Sequence, residues 1–300
     1  MADDARADVI TRTESKEVFR LWPEGPPTKG PDLAEISYLQ PALDGSKIAI
    51  LRNVSEPTIT VFRPAAGAAN GVGVIVAPGG GWRILAIEHE GVTLAEWLAA
   101  RGYTAFLLKY RVAATHPDPA EFEAGMQRVS APLAQPRPAS KAPKAIEDIL
   151  RDDDTKFGRK LSIEDGRRAL TLVRERATEW GVDPGKVGMI GFSAGAFLTI
   201  DVALSPEGSG LAFVAPIYGG GAAGRPIPAN APPLFTCIAQ DDRLLFRVVE
   251  GLYHDWSEAD RPAELHIFRR GGHGFGMVKQ GAPADGWVDM FGAWLKDLGF

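Results

Sequence analysis

The chain has 300 residues, of which 45% are apolar and 24% charged, a composition typical of globular proteins and not of disordered chains, collagen-like repeats or coiled coils. Its 33 Lys and Arg against 38 Asp and Glu give a net charge of −5, which excludes the basic surface typical of nucleic-acid binders. No apolar run approaches the roughly 18 residues of a membrane span. The single Cys237 cannot form an internal disulfide, and no Cys/His cluster has zinc spacing, so we expect no metal and no cofactor.

The first 35 residues are polar and rich in Pro and Gly, and they predict an irregular surface arm before a single domain at 36–300. The N-terminus lacks the basic and apolar regions of an export signal. That pattern favours the cytoplasm, with a periplasmic or secreted location as the alternative if a leader has been removed.

Seven short apolar runs predict the strands of one sheet. They are continuous rather than alternating, as is typical of strands buried on both faces of a parallel sheet. The runs are 59–62, 73–77, 104–109, 187–191, 213–217, 234–239 and 265–268. Helical patterns lie between them, at 91–101, 165–181, 194–204 and about 287–298. This alternation predicts an α/β fold with a mostly parallel central sheet and helices on both faces.

One stretch, residues 112–164, departs from that alternation. It contains six prolines, the acidic run at 152–154 and weak helical patterns near 119–128 and 143–151. Long excursions of this kind commonly border a functional site. We therefore expect an insertion that acts as a partial active-site lid, the alternative being a solvated surface segment with no role.

The sequence Gly191-Phe192-Ser193-Ala194-Gly195 is a G-x-S-x-G motif between a predicted strand and a predicted helix. In that setting the serine occupies a strained turn that lifts its Oγ above the sheet. The backbone N–H of Ala194 then points toward a developing oxyanion. We predict that Ser193 is a nucleophile.

A serine nucleophile needs a base and an acid that orients it. Of the five histidines, His273 lies in a glycine-rich loop after the last predicted strand, whereas His116, His254, His266 and His89 have settings that favour other roles. We therefore predict His273 as the base. The loop after 234–239 carries both Asp241 and Asp242. We choose Asp242 as the acid, because it is one step further from the strand, and expect Asp241 to brace the loop.

The sequence Pro78-Gly79-Gly80-Gly81-Trp82 follows a predicted strand. Consecutive glycines let backbone N–H groups turn into a cavity, and no phosphate-loop pattern surrounds them. We assign Gly80 and Gly81 to an oxyanion hole with Ala194, with the Trp82 N–H as a substitute. The Trp82 ring is expected either to line the acyl pocket or to pack in the core.

Together these pieces resemble the acetyl-esterase and acetylxylan-esterase-like branch of the α/β-hydrolase superfamily over about residues 20–300. The resemblance is carried by LWPEG at 21–25, PGGGW at 78–82 followed by Glu90-Gly91, LLKYR at 107–111, WGVDPGKVGMIGFSAG at 180–195, the Asp241-Asp242 loop and ELHIFRRGGHGFG at 264–276. It implies the α/β-hydrolase fold and the same Ser193, Asp242 and His273 roles. The chain departs from many relatives at Pro78, at Ala196 and in the length of the insertion.

The leading functional hypothesis is a metal-independent serine carboxylesterase for short acyl esters, with acetylated carbohydrates among the candidate substrates. We expect a small-molecule or carbohydrate ester as substrate and neither nucleic acid nor membrane as partner. The alternatives are a peptidase or amidase with the same triad, and a non-catalytic hydrolase-fold binding protein, which would be expected to lack a triad member.

Overall fold

The computed structural model describes residues 16–41, 45, 47–134 and 142–300, which form two sheets and seven α-helices. The strands are β1 (Glu17–Arg20), β2 (Ile36–Pro41), β3 (Lys47–Arg52), β4 (Thr58–Phe62), β5 (Gly73–Ala77), β6 (Ile84–Leu85), β7 (Thr104–Lys109), β8 (Val187–Phe192), β9 (Val214–Ile217), β10 (Leu234–Ala239) and β11 (Ala263–Phe268). The helices are α1 (Thr93–Ala99), α2 (Pro119–Ala134), α3 (Ala142–Arg151), α4 (Asp153–Glu175), α5 (Ala194–Ala203), α6 (Phe246–Glu258) and α7 (Trp287–Asp297).

The larger sheet has eight strands in the order β1-β4-β7-β5-β8-β9-β10-β11. The six strands from β7 to β11 in this order are parallel, whereas β4 runs antiparallel to both β1 and β7. Every residue of β4, β5, β8, β9 and β10 is buried, which explains why their sequences are continuous apolar runs. The mostly parallel sheet predicted from the sequence is confirmed. Its carboxyl edge brings together the loops after β5, β8, β10 and β11.

A second, three-stranded antiparallel sheet, β2-β3-β6, was not predicted; we call it the accessory sheet. Ile48, Ile50 and Ile84 of this sheet form a small apolar cluster with Ala86, separate from the main core. Phe122 of α2 and three further side chains pack against this cluster: Tyr38, Met126 and Val278. The accessory sheet therefore joins the segment at 112–164 to the rest of the molecule.

Two sequence expectations differ from the structure. Within the segment 1–35, expected to be an irregular arm, Glu17–Arg20 forms β1, because the backbone of β4 supplies its hydrogen-bond partners. In the stretch 112–164, α2 and α3 lie near the weak helical patterns at 119–128 and 143–151, but α4 begins at Asp153, twelve residues before the helix predicted at 165–181. The acidic run at 152–154 begins this helix: Asp152 caps α4 by accepting from Thr155 N–H at 2.9 Å, and Asp153 and Asp154 follow in its first turn.

A fully buried ion pair joins the end of β7 to α4. Arg111 and Asp165 both have fully buried side chains, and the Arg111 Nη2 donates to Asp165 Oδ1 at 2.7 Å. The backbone N–H of Arg111 donates to Asp165 Oδ2 at 2.9 Å, and Trp22 Nε1 donates to Oδ1 at 2.8 Å. One carboxylate thus holds the sheet, a helix and the N-terminal segment together.

Asp165→Ala is expected to lower the free energy of unfolding by about 3 kcal/mol, because it leaves the buried Arg111 guanidinium with only the Glu164 carboxylate and the Thr28 carbonyl oxygen as partners. Urea denaturation followed by circular dichroism measures the change. Glu175→Ala is the matched control on the same helix; it removes an exposed pair with Arg168 and should cost less than about 1 kcal/mol. Equal effects of the two substitutions would contradict the special role of the buried pair.

Candidate active site

Ser193 lies at the sharp turn between β8 and α5, with φ 49° and ψ −113°. This left-handed conformation is rare for a residue other than glycine. The turn requires close backbone packing: a Cβ on Gly191 would overlap the carbonyl oxygen of Gly195, and a Cβ on Gly195 would overlap that of Ala77. The two glycines of the motif therefore make room for the turn, and Ser193 N–H holds it by donating to Ile217 O at 3.1 Å.

The structure brings Ser193, His273 and Asp242 into one hydrogen-bonded chain. The Oγ of Ser193 lies 2.9 Å from Nε2 of His273, and Nδ1 of His273 lies 2.7 Å from Oδ2 of Asp242. The three residues follow β8, β11 and β10, so the parallel strands deliver them to the same edge of the sheet. This arrangement has the geometry that serine activation by an oriented imidazole requires.

The two neighbouring aspartates have different partners. Asp242 is buried, and its second oxygen, Oδ1, accepts from the backbone N–H groups of Leu244 and Leu245 at 3.0 Å each. Asp241 is exposed, and its Oδ1 accepts from Gly271 N–H at 3.0 Å and Gly272 N–H at 2.9 Å. Asp242 thus contacts the His273 imidazole, while Asp241 fixes the backbone of the loop that carries His273.

The pKa of His273 is raised above its ordinary value of 6.5. Burial alone lowers this pKa, but the charge and hydrogen bond of Asp242, together with the charge of Glu90, outweigh the effect of burial. A raised pKa makes the imidazole a better proton acceptor, at the expense of a larger protonated fraction near neutral pH.

The glycine loop turns back on itself beside Ser193. Gly80, Gly81 and Trp82 all have positive φ, of 132°, 61° and 59°. The N–H of Gly79 donates to the buried Glu90 carboxylate at 2.7 Å, so it is occupied by a protein acceptor. The residues predicted for the oxyanion hole, Gly80, Gly81 and Ala194, all line the cavity that contains Ser193 and His273.

The cavity in front of Ser193 has a volume of about 430 Å³ and is partly open to solvent. Trp82 lines this cavity, which was one of the two expectations from the sequence. The residue is also 2% exposed, and its ring packs 5.6 Å from the ring of Phe197, which fits the other expectation of core packing. The insertion contributes Met126, Ile146, Ile149 and Thr155 to the cavity wall. The position of the insertion agrees with a partial lid, which stays a prediction.

Sequence reasoning missed two polar residues next to the site. Glu90 lies in a π-helical turn, Glu88–Val92, and its Oε1 accepts from the Tyr218 hydroxyl at 2.5 Å. The Tyr218 hydroxyl in turn accepts from Gly276 N–H at 3.1 Å. The available signal for Glu90 was its place in the Glu90-Gly91 pair that follows the glycine loop. The position of Tyr218 beside Glu90 depends on the fold and carried no local signal.

The other histidines lie apart from the Ser193 hydrogen-bonded chain. His254 is exposed on α6, His266 pairs with Glu264 at 2.6 Å on β11, and His116 accepts from Asp118 N–H at 3.1 Å. His89 lines the cavity, with Nε2 3.7 Å from Glu90 Oε1.

The described part of the chain contains neither a metal-binding cluster nor a membrane-spanning helix. There, no group of three or more His, Cys, Asp or Glu side chains is arranged to hold a metal ion. In the same part, every helix is too short or too polar to cross a bilayer.

One curated relative is an acetylxylan esterase from Xylanibacter ruminicola, 23% identical over 263 residues. The match covers 76% of this chain and 46% of the relative, so the chain spans about half the length of that protein.

Solved structures share the fold at low sequence identity. An acetyl ester-xyloside bifunctional hydrolase from Caldicellulosiruptor lactoaceticus matches with a TM-score of 0.58 and 20% identity, covering 83% of this chain and 90% of that one. Thermogutta terrifontis esterase 2 phosphorylated by paraoxon matches with a TM-score of 0.60 and 19% identity, covering 96% of each chain. MGS-M1, an alpha/beta hydrolase enzyme from a deep-sea metagenome library, has a TM-score of 0.56 and 18% identity, with 87% of this chain and 98% of that one covered. The likeness confirms the α/β-hydrolase fold.

The model of the Dienelactone hydrolase family matches residues 61–296, a range that contains the glycine loop and all three members of the Ser193 hydrogen-bonded chain. With most of its length matched and its fold shared with other hydrolases, this chain belongs to the dienelactone hydrolase family.

Proposed function

We propose that the protein is a serine carboxylesterase in which Ser193, His273 and Asp242 act as nucleophile, base and acid. The observation that carries this proposal is the unbroken chain of contacts from Ser193 Oγ to His273 at 2.9 Å and from His273 to Asp242 at 2.7 Å. The esterases among the relatives support it. Short acyl esters are the simplest substrates, and the names of two relatives favour acetylated carbohydrates as a candidate class.

In the first half of the reaction, Ser193 Oγ attacks the ester carbonyl carbon and its proton passes to His273 Nε2. Asp242 stabilises the imidazolium that forms. The backbone N–H groups of Gly80, Gly81 and Ala194 donate to the carbonyl oxygen as it becomes negative. His273 then gives its proton to the leaving alkoxide, which departs as the alcohol and leaves an acyl group on Ser193.

In the second half, His273 takes a proton from a water molecule that attacks the acyl carbon, and Ser193 leaves as its alkoxide. His273 returns the proton to Ser193 and the carboxylic acid is released. The overall reaction consumes one water and needs no group that the chain does not supply.

Ser193→Ala is expected to lower kcat by about 10⁴-fold or more, because it removes the nucleophile and leaves oxyanion stabilisation and binding alone. Incubation with paraoxon should add one phosphoryl group to the wild-type protein, and peptide mapping should place it on Ser193. Ser257→Ala, at an exposed serine of α6, is the matched control and should label normally. Absence of any adduct would favour a non-catalytic binding protein, and an adduct on another residue would refute the assignment of Ser193.

Asp242→Asn is expected to lower kcat by about 10³–10⁴-fold, since it removes the charge that orients His273 and stabilises its imidazolium. Asp241→Asn should cost far less in kcat and appear mainly as a lower melting temperature, because its contacts are to loop N–H groups. Measuring kcat and thermal unfolding of both variants separates the two carboxylates. An inactive Asp241→Asn beside an active Asp242→Asn would move the acid by one residue.

A further inference from the structure

The cavity in front of Ser193 is larger than an acetyl group needs, and its walls are mainly apolar. Its volume of about 430 Å³ lies within the range of pockets for whole small molecules. Ile48, Ile50 and Ile84 of the accessory sheet form one wall, and Met126, Ile146 and Ile149 of the insertion helices form another. These walls converge on the space that Ser193 and His273 also line.

Three polar side chains of the same cavity, Arg83, Thr155 and Glu90, have protein partners. Trp82 Nε1, His89 Nδ1 and Arg83 Nε have no hydrogen-bond partner but are buried, so they offer no exposed group to a substrate. The two terminal nitrogens of Arg83 donate to Asp152 at 2.6 Å and Asp154 at 3.2 Å, and Thr155 Oγ1 donates to Asp152 at 2.8 Å. Both oxygens of Glu90 accept hydrogen bonds from Gly79 and Tyr218. A carbohydrate would bring several hydroxyl groups into this space, and each hydroxyl that loses water without gaining a partner weakens binding.

We propose that the substrate carries a large apolar group, aliphatic or aromatic, which this cavity binds between the accessory sheet and the insertion helices. This inference rests on the proposed function, whose nucleophile opens into the same cavity. The apolar group is either the acyl or the alcohol part of the ester. An ester with a short acyl group, such as an acetate, is consistent with this proposal if its alcohol part is apolar.

Two ester series with unactivated alcohols test this inference and identify which part is apolar. The first lengthens the acyl group of ethyl esters from acetate to octanoate, and the second lengthens the alcohol of acetates from ethyl to octyl. In one series kcat/KM should rise about fourfold for each added methylene until the cavity is filled. Acid release in a pH-stat measures the rates, and acetylated xylan is included as the carbohydrate substrate.

A filling substitution ties the preference to this cavity. The quantity to compare is kcat/KM for the best long ester divided by kcat/KM for ethyl acetate. Ile149→Phe on α3 should lower this ratio by about tenfold or more, because the larger side chain displaces two or more methylene groups of the substrate from the cavity. Leu150→Phe is the matched control: it changes the next residue of the same helix, which is also half-buried but does not line the cavity, and it should leave the ratio unchanged.

The outcomes separate this inference from the proposed function. Rates that stay flat or fall along both series, or faster release from acetylated xylan than from every apolar ester, would overturn the apolar substrate while leaving the esterase intact. A drop in the ratio for Leu150→Phe equal to that for Ile149→Phe would also overturn it. No turnover of any ester, together with no paraoxon adduct on Ser193, would instead refute the proposed function.

A different observation carries a second inference. Glu90, 3% exposed, joins three segments around Ser193 through two hydrogen bonds of its own and one of Tyr218. Its Oε2 accepts from Gly79 N–H at 2.7 Å in the glycine loop, and its Oε1 accepts from the Tyr218 hydroxyl at 2.5 Å after β9. That hydroxyl accepts from Gly276 N–H at 3.1 Å, three residues after His273, and the Tyr218 ring packs edge-on to the His273 ring at 5.3 Å.

We infer that Glu90 is a positioning residue for the reaction, acting through the glycine loop and, by way of Tyr218, through the loop of His273. With Gly79 N–H held by Glu90, the next two residues, Gly80 and Gly81, turn toward the cavity as oxyanion donors. The carboxylate is suited to this task because both of its oxygens accept. An amide in its place has only one acceptor oxygen. If that oxygen accepts from Gly79 N–H, the amide NH2 faces the Tyr218 hydroxyl, whose proton then loses its acceptor.

Glu90→Gln should lower kcat by about tenfold or more and change KM little. This loss is smaller than the hundredfold or greater loss in kcat that follows removal of an oxyanion donor itself. It should also lower the apparent pKa of the acid limb of the kcat/KM profile. The charge of Glu90 raises the pKa of His273, so its removal leaves a base that stays neutral to lower pH. The groups that face His273 are Asp242, Tyr218 and Glu90, and His89 lies beside Glu90.

Tyr218→Phe is the companion variant, because it breaks the bridge to Gly276 while keeping the Glu90 charge. It should lower kcat without moving the acid limb. Glu250→Gln, on the surface of α6, controls for the loss of one negative charge and should change neither quantity. The inference is wrong if Glu90→Gln changes neither kcat nor the acid limb. A lower melting temperature with both quantities unchanged would show that Glu90 only stabilises the fold. If Glu90→Gln does not fold, an unchanged kcat in Tyr218→Phe would overturn the inference.

Discussion

At Ser193 the chain passes from β8 into α5 with a backbone conformation that an L-residue adopts only when its surroundings impose it. The surroundings here are backbone atoms of β5, β8 and α5, so close that Gly191 and Gly195 have no space for a Cβ. The glycine loop is equally confined, since a Cβ on Gly79 would come within 2.7 Å of the Phe192 carbonyl oxygen. The positions of Ser193 and of the glycine loop therefore depend on one packed junction of main-chain atoms.

The loops that carry Asp242 and His273 have no such steric constraint, and polar contacts hold them in place instead. Asp242 holds its own loop through two backbone N–H groups before it reaches His273, and Asp241 holds the His273 loop from the other side. Glu90 and Tyr218 link the glycine loop to Gly276. The glycine-rich loop after β11 thus places the His273 imidazole 2.9 Å from Ser193 Oγ, and the buried Phe275 of the same loop packs against the Tyr218 ring.

The parts of the structure that were predictable are those with local signals. The buried strands appear as continuous apolar runs, and Ser193, Asp242 and His273 each follow such a run, so parallel pairing alone brings them together. The accessory sheet had a partial signal in the apolar run at 48–51 of β3. Its neighbours had none, because β2 is half-exposed and β6 has only two residues, so their pairing with β3 depends on the tertiary fold. The start of α4 was predicted twelve residues too late, because the acidic run at 152–154 is typical both of a solvated surface and of a helix N-terminus. The contact between Glu90 and Tyr218 spans 128 residues of sequence and has no local pattern.

The groups proposed to react and two walls of the cavity come from different pieces of chain. Loops at the carboxyl edge of the main sheet carry the first. The accessory sheet and the helices of residues 112–164 form the two walls, and the same loops and α5 supply much of the remaining lining. They meet at Arg83, beside the glycine loop, which is paired with the first residues of α4. Substitutions in these two walls can therefore change which esters fit the cavity without displacing Ser193, His273 or Asp242.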